Sequence, residues 1–462
     1  MHRPRFIRNL SLIVAAAFTV GACGDMTVPD FNNPSLEDLE NNPSPTTIRQ
    51  AAQGMLFGAR AQMGAQNGYV SLLGILGRES YNFDPADTRF ITEMLIGPLD
   101  PGSPAFGANL FAARYANIRL GNTILAALDR VAGMSNAELE ATRGFVKTIQ
   151  AHDFLHVLNT RDDLGAPIDV GTDPTGDPAP IATKPEVQAH IIQLLDEAAT
   201  HLAAGGTEFP FALGPGFAGF DAPASFLTFN RALKARTQVY MAQYAAALTS
   251  LAASFINPSG SLTLGVYHAF GDGSGDTQNA LFDPDARAIL AHPSIVTDAQ
   301  NQPGGQPDAR LTAKVTTTDP RLVQGVPTDR RFTIYNSTTA SIPIIRNEEL
   351  ILLRAEARWF TGDRLGAISD INLIRANSGG LGPTTVTIAS TDQEFITELL
   401  YNRRYSLLFE GGHRWIDTRR LNRQGDLPLA LATHNRLPRF PFPEAECLAR
   451  DPRPAPPTCP PL

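Results

Sequence analysis

The sequence predicts a mainly α-helical protein, built of helical hairpins wrapped by irregular loops and a few short strands. Three observations carry that prediction. Apolar residues recur at helical spacing through residues 47–63, 107–131, 137–159, 185–203 and 229–255, and again from Asn347. Residues 346–380 read R-N-E-E-L-I-L-L-R-A-E-A-R-W-F-T-G-D-R-L-G-A-I-S-D-I-N-L-I-R-A-N-S-G-G, a helix, a Gly-Asp turn and a second helix that must pack antiparallel. Small residues stand 12 apart in two such pairs, Ala235 with Ala247 and Ala355 with Ala367, where two helices of a hairpin approach closely. That is the logic of tetratricopeptide repeats, here interrupted by long insertions.

The elements follow in chain order. Residues 1–22 have the layout of a secretory signal: Arg3, Arg5 and Arg8 without an acid, an apolar run from Leu10, then Val20-Gly21-Ala22. The run is too short to span a bilayer stably. Cys23 after two small residues resembles a bacterial lipobox, which implies cleavage before Cys23 and a lipid on its thiol. Residues 23–45 are rich in Asn and Pro and read as a flexible tether. Residues 46–462 read as one domain, with helical repeats at 47–255 and 347–422. Between them lies a loop-rich insert, 260–343, in which 313–317 and 331–334 are short strands. Residues 437–462 form a Pro-rich tail in which no helix is expected. Its Cys447 and Cys459 either bridge, as an oxidising compartment favours, or remain free thiols.

Composition excludes several functions. An apolar share of 43% against 18% charged fits a packed globular protein. The net charge is −8, or −11 once Arg3, Arg5 and Arg8 leave with a signal. With Lys147, Lys184, Lys234 and Lys314 as its lysines and no basic block, the chain is not expected to bind nucleic acid.

Candidate chemistry is sparse. His152 and His156, at i and i+4, share a helix face and suggest zinc. The motif has Asp153 where a zincin needs Glu, and no third ligand is evident, so helix packing is the preferred reading. Asp272, Ser274, Asp276 and Asp283 follow the spacing of a calcium loop, but Thr277 stands where Gly is required; a surface loop is the better reading. No nucleophile elbow, P-loop or dinucleotide fingerprint occurs, so no catalysis, cofactor or metal is expected. Trp359 and Trp415 lie in helices and are assigned to the core. Loop aromatics are the better platforms for a ligand, although anchoring of the loop is the preferred reading of any single one: Tyr81-Asn82-Phe83, then Phe209, Phe211, Phe217 and Phe220, then Tyr267, His268 and Phe270.

Several landmarks resemble, in order, those of the SusD/RagB family of outer-membrane nutrient-binding lipoproteins. They include N-I-R-L-G-N-T-I-L-A-A-L at 117–128, A-H-D-F-L-H-V-L-N-T-R-D-D-L-G-A-P at 151–167 and D-P-R at 319–321. The hairpin at 346–378 carries the family's R-x-x-E-x-x-L-x-x-A-E-A pattern, with Asn372 and Arg375 as its N-x-x-R. Residues 410–420 resemble its E-G-x-R-W-x-D-x-R-R corner, and 437–446 its P-I-P-x-x-E end. The chain departs at Asn402, Tyr405 and Ser406, where the family carries more charge, and at the additional Gly412. The ion pairs of that corner are therefore expected to be thinner or rearranged.

The resemblance implies a SusD-like fold and a binding protein, not an enzyme. It implies a lipid anchor at Cys23 on the outer membrane, facing the exterior. The implied ligand is an oligosaccharide, less readily a peptide, delivered to a SusC-like TonB-dependent barrel. It points to Tyr81, Asn82 and Phe83 as candidate ligand contacts. An envelope scaffold without a small ligand, and a metallohydrolase using His152 and His156, are the alternative readings.

Overall fold

The structure, a computed structural model, describes residues 36–173 and 175–450. Its longer helices are α1 (Pro45–Arg60), α2 (Tyr69–Leu76), α3 (Asn109–Leu128), α4 (Asn136–Arg161), α5 (Lys184–Ala204) and α6 (Pro223–Tyr240). They continue as α7 (Tyr244–Ala252), α8 (Asn347–Phe360), α9 (Arg364–Asn377), α10 (Asp392–Ser406) and α11 (His413–Arg420). Local sequence sets their starts. Ser44 with Thr47, Ser135 with Glu138, Thr183 with Glu186 and Thr391 with Glu394 form capping boxes. Each satisfies amides that have no partner inside the helix. Asp363 caps α9 by accepting from the Gly366 amide at 2.9 Å. Gly362, at φ +96°, turns the chain between α8 and α9 in a conformation costly for other residues.

From α3 to α9 each helix packs on the next, which gives the expected succession of hairpins. Helix α1 lies against α3 and α4, α10 against α8, and α11 against α10 and α2. Three apolar clusters follow. One joins α1 and α3–α7, a second α8–α10, and a third α2, the insert and α11. Trp415 is fully buried and Trp359 is 2% exposed, so both tryptophans are core, as expected. Burying such a side chain contributes on the order of 2–3 kcal/mol.

The structure corrects four expectations. Residues 229–255 are not one helical stretch: α6 and α7 are separated at 241–243, where Ala242 has φ +56°. Apolar residues continue across that turn and hide it. Helix α2 escaped the sequence reading because all eight of its residues are buried, so no polar face marks its period. The segment read as tether already contains the helix Leu36–Asn41, whose Leu39 is 1% exposed in the first core. The Pro-rich tail packs Phe440 and Phe442 fully and forms the helix Glu444–Leu448, because no proline falls within those five residues.

The insert is tied into the helical body by strands. β1 (Ser80–Asn82) pairs with β3 (Ile289–Ala291), and β2 (Gly265–His268) with β6 (Ile342–Arg346). The two expected strand pieces are ends of one hairpin, β4 (Val315–Val323) and β5 (Val326–Phe332). Its turn at Gln324 and Gly325 has φ of +49° and +80°, the backbone that matches strand twist in a two-residue hairpin. No helix of the described residues is long and apolar enough to cross a membrane.

Candidate functional site

A cleft of about 370 Å³ opens where the end of α1, the 212–217 loop and β2 with its continuation meet. The volume lies at the lower end for a small-ligand site. Helix α1 contributes Gln53, Leu56, Phe57 and Arg60; the loop contributes Leu213 and Phe217; β2 and the following turn contribute Tyr267, His268 and Phe270. Phe229 of α6 and His152 of α4 also line it. Phe57 is 51% exposed, in contrast to Phe217 and Phe270, which are buried.

Burial of one face of α1 explains why Phe57 projects. Ile48, Ala51, Ala52, Met55 and Ala59 pack inward, and Phe57 falls on the other side of the helix. The end of α1 is held by Arg114 of α3, which donates to the carbonyls of Ala59 at 2.6 Å, Gly58 at 3.0 Å and Ala61. A cation there satisfies orphan carbonyls and suits the negative end of the helix dipole. Arg114 is neutralised by Asp153 at 2.9 Å, which also accepts from Asn117 Nδ2 at 2.7 Å. The His-Asp-x-x-His segment therefore has a structural role, in which Asp153 locks α4 to the helix that carries Phe57 and Arg60.

The histidines of that segment stand behind the cleft. The ring of His152 is 4.2 Å from His156 and 5.7 Å from His268, centroid to centroid. His156 stacks on Tyr69 at 4.4 Å. Burial first, then neighbouring histidine and arginine charge, holds His152 and His156 well below the ordinary histidine range. Burial, then the charge of Arg114 and Arg60, lowers His268 to about 3. The cleft wall therefore presents neutral imidazoles, able to donate and accept hydrogen bonds. A small cavity of about 20 Å³ is bordered by His152, His156 and His268, and by Arg236, Glu410 and His413.

The candidate residues from the sequence are partly redistributed. Tyr81, Asn82 and Phe83 are 1%, 1% and 2% exposed. Tyr81 packs on Phe83 at 5.5 Å and on His292 at 4.8 Å, while Asn82 donates to the Gln66 carbonyl at 3.1 Å. Pairing of β1 with β3 draws all three into the core, so they present no ring face to a ligand. Phe217, Tyr267, His268 and Phe270 are brought together at the cleft. Phe209 and Phe211 instead pack edge-on or tilted around Phe145 and Phe226, behind it. Asp276, read as part of a surface loop, reaches the cleft and pairs with Arg60. Asp283 accepts backbone amides of Arg287, Ala288 and Ile289 at 3.0, 2.8 and 2.9 Å. Phe57 was missed; an apolar residue on the solvent side of an amphipathic helix was its one sequence signal. Cys447 is buried and held in a disulfide, whereas Cys23 and Cys459 lie outside the described residues.

The corner at 402–420 holds its three departing residues, each neutral, by hydrogen bonds. Ser406 donates to Glu348 at 2.6 Å, Asn402 accepts from Arg310 at 3.2 Å, and Tyr405 donates to the Ile295 carbonyl at 2.8 Å. Neutral side chains thus hold positions where charge was expected. Ion pairs surround them: Glu410 with Arg346 at 2.9 Å and Lys314 at 2.9 Å, and Asp417 with Arg403 at 2.6 Å and Arg420 at 2.8 Å.

Comparisons agree with this architecture. The SusD family model matches residues 295–435. A SusD superfamily protein from Bacteroides vulgatus superposes with a TM-score of 0.65 at 15% identity, covering 88% of this chain and 97% of its own. A SusD-like carbohydrate-binding protein from Bacteroides fragilis gives 0.65 at 14% identity, covering 84% and 87%. A laminarin-binding SusD-like protein gives 0.61 at 16% identity, covering 86% and 97%. No curated protein matches significantly. The SusD family model thus matches the stretch 295–435, and the described chain has a SusD-like fold.

Proposed function

We propose that this protein binds an oligosaccharide in the cleft between α1, the 212–217 loop and β2. The observation that carries the reading is the convergence of Phe57, Phe217, Tyr267 and Phe270 with Arg60, Gln53 and two neutral histidines around one cavity. Sugar rings pair apolar faces with polar edges, and aromatic faces beside a few fixed polar groups meet both. Similar folds described as carbohydrate-binding and laminarin-binding support the ligand class.

The wider role follows from the N-terminal sequence and the family. A lipid on Cys23 would tether the domain to the outer membrane, facing the exterior, and a SusC-like TonB-dependent barrel would receive the ligand. Titration of the mature protein with an oligosaccharide panel by calorimetry tests binding. Saturable binding weakened by Phe57→Ala is expected; absence of binding across the panel overturns it in favour of the scaffold reading. Affinity purification of the lipidated protein from its native membrane is expected to bring down the barrel in near-equal amount. Recovery without any barrel would remove the delivery role.

A further inference from the structure

Resting on the cleft reading above, we infer that the cleft selects carbohydrate bearing a carboxylate, and that Asp276 occupies the carboxylate position until such a ligand replaces it. Among the described residues, Arg60 is the one lysine or arginine lining the cleft, and Asp276 the one acid. The Arg60 side chain is 10% exposed. Its guanidinium carbon lies 4.5 Å from the centre of the Phe57 ring and 5.7 Å from that of Phe270. Its Nη1 donates to the Ala269 carbonyl, which fixes the plane, and its Nη2 is left to Asp276. A guanidinium oriented in this way, set between aromatic faces, is a directional carboxylate binder.

Asp276 belongs to a different class of residue. Its side chain is 33% exposed and reaches Arg60 from the 271–277 loop. That loop is closed by the Gly271 amide on the Thr277 carbonyl at 3.2 Å. Nothing approaches within 4 Å of where side chains would begin at Gly273 and Gly275. The acid therefore stands on a loop with unpacked glycines, anchored at Asp272, which accepts from Thr338 at 2.9 Å, whereas Arg60 stands on a helix end locked by Arg114. Exchange of the Asp276 carboxylate for one on a sugar conserves the ion pair and adds ring contacts with Phe57 and Phe270. A neutral sugar gains the ring contacts alone.

The test measures each acidic oligosaccharide of a panel against its carboxyl-reduced, neutral counterpart. The expected result is about tenfold tighter binding of the acid form at low salt, with the preference narrowing as salt screens the pair. Arg60→Gln is expected to erase the preference. Asp276→Asn, on the exposed loop, is expected to raise the acid-to-neutral ratio by roughly a further tenfold by removing the internal competitor. Equal binding of both forms, with Phe57→Ala weakening both, overturns this inference and leaves the cleft reading standing. Binding of neither form removes both. Preference for an acidic peptide over every acidic glycan overturns the ligand class.

Discussion

The cleft and the arginine-rich corner both combine aromatic rings with guanidinium groups, yet they are built for opposite ends. In the corner the acids Glu410 and Asp417 are buried and each is shared. Glu410 serves Arg346 and Lys314, Asp417 serves Arg403 and Arg420, and Trp415 lies beneath Arg419 at 4.5 Å. In the cleft one arginine meets one acid, the acid is a third exposed, and Phe57 faces solvent. Buried pairs resist loss of a partner because the remaining charge has no water to return to. Pairs with one partner open to solvent are held less firmly, because water compensates the charge that leaves. The same residue types thus make a buried scaffold in one place and, on the proposed function, a recognition surface in the other.

That contrast breaks most directly at Glu410. Glu410→Ala leaves Arg346 and Lys314 without their shared acid and is expected to cost about 3–5 kcal/mol. Urea denaturation measures it, and a loss below about 1 kcal/mol would mean the corner does not hold the scaffold. Gly412→Ala is next. Gly412 sits at φ +72°, and an added methyl would meet Leu73 Cβ at 2.3 Å. A loss of roughly 2 kcal/mol is expected from overpacking and backbone strain together. It also gives the additional glycine its reason: α11 starts hard against α2.

Acid sharpens the comparison through the histidines. His152, His156, His190, His268, His292, His413 and His434 all lie below their ordinary values, mainly through burial. A depressed folded value means that the unfolded chain takes up protons first. The stability from these neutral rings is present above about pH 6.5 and is lost as pH falls toward 4 and below. Burial raises Glu79 to about 7 and Asp153 to about 6, which opposes part of that loss. The net expectation is a fall in Tm of roughly 5 °C or more between pH 6.5 and 4.5, followed by calorimetry. A flat profile would show that the histidines are solvated. Smaller still, Phe57→Ala should leave stability within about 0.5 kcal/mol of the parent while weakening ligand about tenfold. A large stability loss would move Phe57 from the cleft to the core. Non-reducing peptide mapping is expected to link Cys447 to Cys459, and a different partner for Cys447 would redraw the tail.

The fold class and the hairpin succession were legible because they rest on local pattern: capping residues, 3.6-residue periodicity and turn glycines act over a few positions. Helix α2, buried all round, lacked such a pattern, and the turn at 241–243 was masked by continuing apolar residues. The cleft was legible only in part. Tyr267, His268 and Phe270 stood out as loop aromatics, but Tyr81, Asn82 and Phe83 stood out equally and are core.

Nothing local separates those two sets. Pairing of β1 with β3, some 200 residues further along the chain, buries one set, and pairing of β2 with β6 brings the other to the end of α1. Likewise, the chain's own residues establish a helical, acidic protein with a salt-bridged corner. Which arginine keeps its partner and which can exchange it depends on water access. Water access belongs to the packed structure, because it is set by elements that meet only after the chain has folded.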